Sequence, residues 1–208
     1  MEQCKNMFEK IYAWENLLDA YHHAASEKWF RDDVAAFSAH LGENLTDIQN
    51  SLIWKTYTVG RYHEFYVYEP KKRLVMALNF RDRVVQWAIY LQLNPLLDNQ
   101  FIYHSYGCRV GKGTTRAADQ LQYWMRMADR KPIPWYYLKL DISKYFYRVD
   151  HNVLLGILRR KFKGEDDLLW LMDKIINCDH TPFGLPPGLN VDDIPPSERL
   201  FEVGMPIG

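Results

Sequence analysis

No stretch of about 18 or more apolar residues occurs in this chain, so no segment reads as a membrane-crossing helix. Cysteine is scarce. Cys4, Cys108 and Cys178 stand far apart, a spacing that fits neither a disulfide framework nor a zinc knuckle and points to reduced thiols in a cytoplasmic protein. The N-terminal MEQCKNMFEK is charged and lacks the apolar centre of a signal peptide. Neither sign of charge is in excess: 26 Lys and Arg balance 26 Asp and Glu, which argues against a purely electrostatic nucleic-acid binder. No internal repeat and no low-complexity tract interrupts the sequence.

Aromatic residues are plentiful, with 7 Trp, 14 Tyr and 10 Phe; such rings serve cores and interfaces equally. The basic residues are clustered. Arg61, Lys71, Lys72, Arg73, Arg81 and Arg83 fall in one stretch and Arg109, Lys112 and Arg116 in another, so a neutral total hides candidate basic faces. A chain of 208 residues accommodates one large or two small domains.

The periodicity predicts a helix over 6–24, a shorter one over 28–41, and a third over about 47–57, with Asn44 or Thr46 as its cap. Residues 65–68 and 74–78 read as the strands of a hairpin turning at Glu69-Pro70-Lys71-Lys72. A helix is expected over 81–93, ended by Pro95. HSYGCRVGKG, residues 104–113, must be a loop, with Thr114 capping a helix over 115–128. Lys131-Pro132-Ile133-Pro134 is a linker, and residues 135–142 read as a core strand. Asp150 is placed to cap a helix over 151–161, and another runs from about 164–166 to 178. The segment 180–198 is too rich in proline and glycine for a regular element, and a short strand follows at 200–203. The domains expected are a helical segment over 1–57, a lobe over 58–131, and a third part over 132–208 carrying the 180–198 insert.

The chemistry centres on Asp141, near the end of the run YYLKLDISKYF. As a bland alternative it is a hydrogen-bonded structural group, because a buried carboxylate without partners is costly. As a functional group, a strand-end carboxylate joined by others is suited to hold two Mg²⁺ ions for phosphoryl transfer. Lys139 lies on the same side of that strand, to orient substrate or to balance the Asp141 charge. Gly111-Lys112-Gly113 before a helix start is suited to a backbone phosphate or to a plain turn; the Walker A spacing is absent.

In order along the chain come EPKKRLVMALNFRDRVVQWAI, PLLDNQFIYHSYGCRVGKGTTRAADQL, YYLKLDISKYFYRVDHNVLL, GLPPGL and FEVGMPIG. This ordered set, from about Tyr66 to Gly208, resembles bacterial reverse transcriptases of the retron, group II intron and diversity-generating retroelement kind. The resemblance implies an α+β fold with a fingers lobe (58–131) and an incomplete palm (132–208), in which strands 135–142 and 199–204 are adjacent. It implies RNA-directed DNA synthesis from deoxynucleoside triphosphates on an RNA template and DNA primer. Asp141 would be the first metal-binding carboxylate, joined by the Ile142 carbonyl. Phe146 would lie under the nucleotide sugar and exclude a 2′-hydroxyl. Arg73 and Lys72, with Lys71 as an alternative, would clamp the triphosphate. Arg81 and Arg83 would lie near the template or brace the fingers, and Arg109 and Lys112 would contact nucleic acid. Gly204, Met205, Pro206, Ile207 and Gly208 would form the floor beneath the nucleotide.

The family's second palm motif, YxDD, does not occur, and Asp192-Asp193 lies in the wrong context to replace it. The expectation is therefore a fragment, inactive alone, with weak or no Mg²⁺ binding and self-association through an exposed palm edge. The alternative is a truncated noncatalytic nucleic-acid-binding or protein-interaction module.

Overall fold

A computed structural model describes residues 6–206. Within them the chain divides into two compact units, residues 6–92 with 144–206, and residues Leu93–Ser143. The mixture of helices with one two-stranded antiparallel sheet agrees with the α+β expectation at that coarse level.

The first unit opens with helices α1 (Met7–Tyr12), α2 (Trp14–Ala25), α3 (Asp32–Ala39) and α4 (Leu41–Ile53). The single helix expected over 6–24 is broken at Ala13, whose ψ is 138°. The break frees main-chain carbonyls that would otherwise be bonded within the helix, and side-chain amides replace the missing donors. Asn16 Nδ2 donates to the Ile11 carbonyl at 2.9 Å, and Gln49 Nε2 donates to that of Tyr12 at 2.9 Å. Asn44 does not cap α4, which begins earlier than expected. Its Nδ2 donates at 2.9 Å to the Phe37 carbonyl near the end of α3. Ile11, Leu17, Leu45, Ile48, Leu52, Leu168 and Leu171 are fully buried, and α1 packs on α2, α4 and α8 (Asp166–Ile176).

Strands β1 (His63–Val67) and β2 (Arg73–Ala77) form the expected hairpin, with Phe65 opposite Val75 and Val67 opposite Arg73. Leu74 and Met76 point into the core, as period-two alternation requires. Helix α5 (Phe80–Asp98) passes through Pro95 instead of ending there. A proline so near the C-terminal end removes a single intrahelical bond. In the first turn of α5, the buried Asp82 carboxylate accepts from Tyr57 Oη at 2.8 Å and from the Gly60 amide at 2.7 Å. A Cβ at residue 60 would lie 2.2 Å from Asn79 Nδ2, so a larger residue there would have to displace the Asn79 side chain. Helix α7 (His151–Lys161) starts as expected, the Asp150 carboxylate accepting from the Val153 amide at 2.9 Å.

In the second unit, α6 (Thr114–Asp129) is preceded by Gly113 (φ 101°) as its N-cap, so Thr114 is the first helical residue and not the cap. No residue of α6 is buried. The core strand expected over 135–142 is not formed. Those residues join no ladder and are all exposed. Alternating or apolar sequence favours extension, but a strand exists only where another backbone accepts and donates. No described helix is long and apolar enough to cross a membrane.

Candidate functional site

Three segments of the first unit meet around residues 146–151, 183–185 and 200–205. Gly184 and Leu200 exchange both main-chain bonds at 2.9 Å, Leu185 N–H donates to the Tyr147 carbonyl at 3.2 Å, and Gly204 N–H donates to that of Val149 at 2.8 Å. The strand expected over 200–203 is thus reduced to isolated bridges, Asp150 with Val203 and Gly184 with Leu200. Gly204 has φ +96°, and a Cβ there would lie 2.8–2.9 Å from main-chain atoms of Gly184 and Phe183. A Cβ on Gly184 would meet the Val203 carbonyl oxygen at 2.4 Å. Glycine at both positions lets two backbones touch.

This junction brings Phe146 together with Gly204, Met205 and Pro206, which the sequence analysis assigned to nucleotide contact. Phe146 sits in a 3-10 turn over Tyr145–Arg148, and its carbonyl accepts from the Met205 amide at 2.6 Å. The Phe146 ring is half exposed and meets Tyr145 edge-on at 5.3 Å. Pro206 follows Met205 directly; Ile207 and Gly208 lie outside the described residues. Behind the junction is His151, which is 2% exposed. Its Nε2 is 2.6 Å from the Gly204 carbonyl oxygen and its Nδ1 is 2.9 Å from Asn177 Oδ1. Asn177 in turn donates from Nδ2 to Asp173 at 2.9 Å.

The hairpin residues are also partnered. Lys72 Nζ pairs with Asp192 at 2.8 Å and lies 4.4 Å from the Tyr66 ring centroid. The Asp192 hydrogen bond holds the Lys72 ammonium above its ordinary pKa, and Lys72 holds the Asp192 carboxyl below the usual carboxylate range. Arg73 is exposed at the start of β2 and makes no ion pair among the described residues. Arg81 donates to Ser51 Oγ at 3.1 Å and lies 3.7 Å from the Asp47 and Asp82 carboxylates. Arg83 donates to the Leu78 carbonyl at 3.4 Å, and burial lowers the pKa of its guanidinium. These contacts tie both guanidinium groups to the surrounding chain. Arg199, which no sequence pattern singled out, is 5% exposed and pairs with Glu64 at 2.8 Å.

In the second unit, Arg109 is turned inward. It reaches Asp98 Oδ1 at 2.6 Å and Oδ2 at 3.1 Å, and donates to the carbonyls of Asp98, Ile102 and Ser105. The guanidinium holds the Asp98 carboxyl below the usual range. Its fork of donors is engaged by these acceptors and ties the loop to Asp98. Lys112 Nζ donates to the Tyr103 carbonyl at 2.6 Å and stands 3.8 Å from the Tyr103 ring centroid. Asp141 and Ile142 are exposed. A carboxylate and a main-chain carbonyl are the hard oxygen donors that Mg²⁺ takes. They are too few to hold it, and no group of three or more His, Cys, Asp or Glu suited to a metal occurs among the described residues. The described residues therefore do not build a complete metal centre.

Comparison with known proteins adds an independent finding. A family model described as reverse transcriptase (RNA-dependent DNA polymerase) matches residues 68–208. The chain is 31% identical over 124 residues to the putative COX1/OXI3 intron 2 protein of Saccharomyces cerevisiae, covering 56% of this chain and 14% of that protein. It is 28% identical over 105 residues to protein YkfC of Escherichia coli, covering 50% of this chain and 27% of that one. The chain thus spans a minor part of the length of either relative.

Proposed function

This chain belongs to the reverse transcriptase (RNA-dependent DNA polymerase) family, and on that premise we propose that it supplies fingers and first-palm elements to RNA-templated DNA synthesis. The substrates of that reading are an RNA template, a DNA primer and deoxynucleoside triphosphates. Of the retroelement types that the sequence resembles, the similarity to an intron 2 protein supports the group II intron kind.

The observation that carries the reading is the hydrogen bond from the Met205 amide to the Phe146 carbonyl. It unites a ring suited to lie beneath a sugar with a glycine-proline backbone suited to close approach. In this proposal Phe146 fills the space that a 2′-hydroxyl would need. Met205 and Pro206 present close-packed backbone to the nucleotide, with Gly208 of the same motif outside the described residues. Arg73 and Lys72 draw the triphosphate, Lys72 by exchanging Asp192 for phosphate. Lys112 meets a nucleic-acid phosphate, while Arg81, Arg83 and Arg109 hold the surrounding backbone in place. Asp141 and the Ile142 carbonyl contribute two oxygens toward a Mg²⁺ site whose remaining ligands are not among the described residues. Such ions stabilise the attacking and leaving oxygens of phosphoryl transfer.

The test is equilibrium dialysis of the chain with dATP and with ATP, in the presence of primer–RNA duplex and Mg²⁺. The expected result is preference for dATP, narrowed in Phe146→Ala because the excluded space is vacated. Absence of dATP binding, or an unchanged preference in the variant, counts against the proposal.

A further inference from the structure

The buried His151 is not one of the groups assigned above to nucleotide or nucleic acid, yet its ring touches the same backbone. It is the first residue of α7, and it lies between two oxygens that can only accept. Gly204 offers its carbonyl at 2.6 Å from Nε2. Asn177 offers Oδ1 at 2.9 Å from Nδ1, because its Nδ2 is spent on the Asp173 carboxylate, which has no proton to give when ionised. Asp173 and Asn177 stand near and at the end of α8. The contacts therefore run from α8 through the imidazole to the peptide that precedes Met205.

That peptide is fixed on few other bonds. The Gly204 amide is held by Val149 and the Met205 amide by Phe146. The Gly204 carbonyl points inward to His151, and φ +96° at Gly204 sets the direction of the chain on either side. The His151 main-chain N–H donates separately to the Glu202 carbonyl at 3.2 Å, so a side-chain substitution leaves that bond in place.

We infer that His151 is a positioning residue for the nucleotide site: its Nε2, anchored through Asn177 and Asp173, fixes the Gly204 carbonyl and thereby the placement of Met205 and Pro206. This rests on the nucleotide role proposed for Met205, Pro206 and Phe146. The ring itself is buried and contacts no substrate.

Two substitutions separate its two hydrogen bonds. His151→Gln retains an amide nitrogen at the distance of Nε2 from the backbone and keeps the bond to Gly204. His151→Asn retains a nitrogen at the distance of Nδ1, keeps the bond to Asn177 and loses Gly204. Each loses one of the two polar contacts of the ring, so a merely structural role gives no reason for the loss to fall on Met205 and dATP in one variant alone. The positioning role predicts that His151→Asn weakens dATP binding about tenfold, the scale of one hydrogen bond, and accelerates exchange of the Met205 amide. His151→Gln should stay within about twofold on both measures, with exchange of the Leu155 amide in α7 as the control. Equal behaviour of the two variants, or Met205 deprotection without loss of dATP affinity, overturns the inference. If the unmodified chain binds no dATP, the nucleotide reading fails. His151 is then judged as a brace of Met205 by exchange alone, and unchanged Met205 protection in His151→Asn refutes even that role. If His151→Asn does not fold, His151→Leu removes the bond to Gly204 with a side chain of similar size. It is expected to shift both measures in the direction given for His151→Asn, and no shift refutes the proposal.

Discussion

The crossing of Gly184 and Gly204 allows backbone strain and steric crowding to be measured separately, with Gly188 as the internal control. Gly188 has φ +88° and nothing within 4 Å of an added Cβ, so Gly188→Ala carries conformational strain alone, about 1–2 kcal/mol. Gly184 has no positive φ recorded, but its Cβ would meet the Val203 oxygen at 2.4 Å and Leu200 Cβ at 2.9 Å. Gly184→Ala therefore carries crowding, about 1–3 kcal/mol, near the upper end because the obstructing oxygen belongs to backbone. Gly204→Ala meets both, with φ +96° and three main-chain atoms within 2.9 Å, for about 2–5 kcal/mol in total. Against a domain stability of about 5–15 kcal/mol, that is a large fraction. With a urea slope of about 2 kcal/mol per molar, the midpoint should fall by about 1–2.5 M in Gly204→Ala and by about 0.5–1 M in Gly188→Ala. Urea unfolding followed by circular dichroism is the assay. A Gly204→Ala midpoint no lower than that of Gly188→Ala would refute the close crossing of the two backbones.

Burial, reinforced by Asp82, raises the pKa of the Tyr57 hydroxyl, and burial does the same for Tyr62. The folded chain therefore holds protons that the unfolded chain loses above the free tyrosine value of 10.0. Stability should be unaffected by these groups below that pH and decline above it. Tyrosinate absorbance should show these two hydroxyls ionising only together with unfolding; ionisation of both in the folded chain would contradict the burial. Asp82→Ala leaves Tyr57 Oη and the Gly60 amide without their acceptor and should destabilise by about 2–4 kcal/mol in chemical denaturation; a change within about 0.5 kcal/mol would contradict the buried bonds. Arg109→Ala should open the loop before α6 to chymotrypsin at Phe101 and Tyr103, with resistance equal to the unmodified chain as the contrary result. Mn²⁺ should broaden resonances around Asp141 with affinity on the order of millimolar or weaker, an effect removed by Asp141→Asn; tight binding would show that the described oxygens suffice after all.

Local features were legible in the sequence, and features made by distant partners were not. Asp150 was readable as a cap because the capped amide is only three residues away, and the β1–β2 hairpin because its turn and strands are contiguous. The break at Ala13 was hidden because it depends on Asn16, on Gln49 and, through a further bond from Asn16 at 3.1 Å, on the Ala88 carbonyl. Residues 135–142 carry the composition of a strand, but composition cannot supply a pairing partner. In the site, Phe146 and Pro206 were identified through the family's motif order, and the structure adds how the two segments are tied. His151 and Arg199 were missed, since only the fold reveals that these polar groups are buried and what they bond. Arg109 was read as a surface cation for the converse reason: its carboxylate partner lies eleven residues earlier, beyond a loop.

Lys72 and Asp192 are each about half exposed, at 46% and 48% of their side-chain surface. A phosphate that takes Lys72 must release Asp192, which then recruits a cation from the medium. The incoming polyanion sheds condensed cations on neutralisation, so one ion is taken up as another is given off. With Lys72 taking the triphosphate as proposed, the hairpin tip would work as an ion exchanger rather than as a bare charge. Its contact with phosphate should carry a flatter dependence on ionic strength than a count of basic residues would suggest.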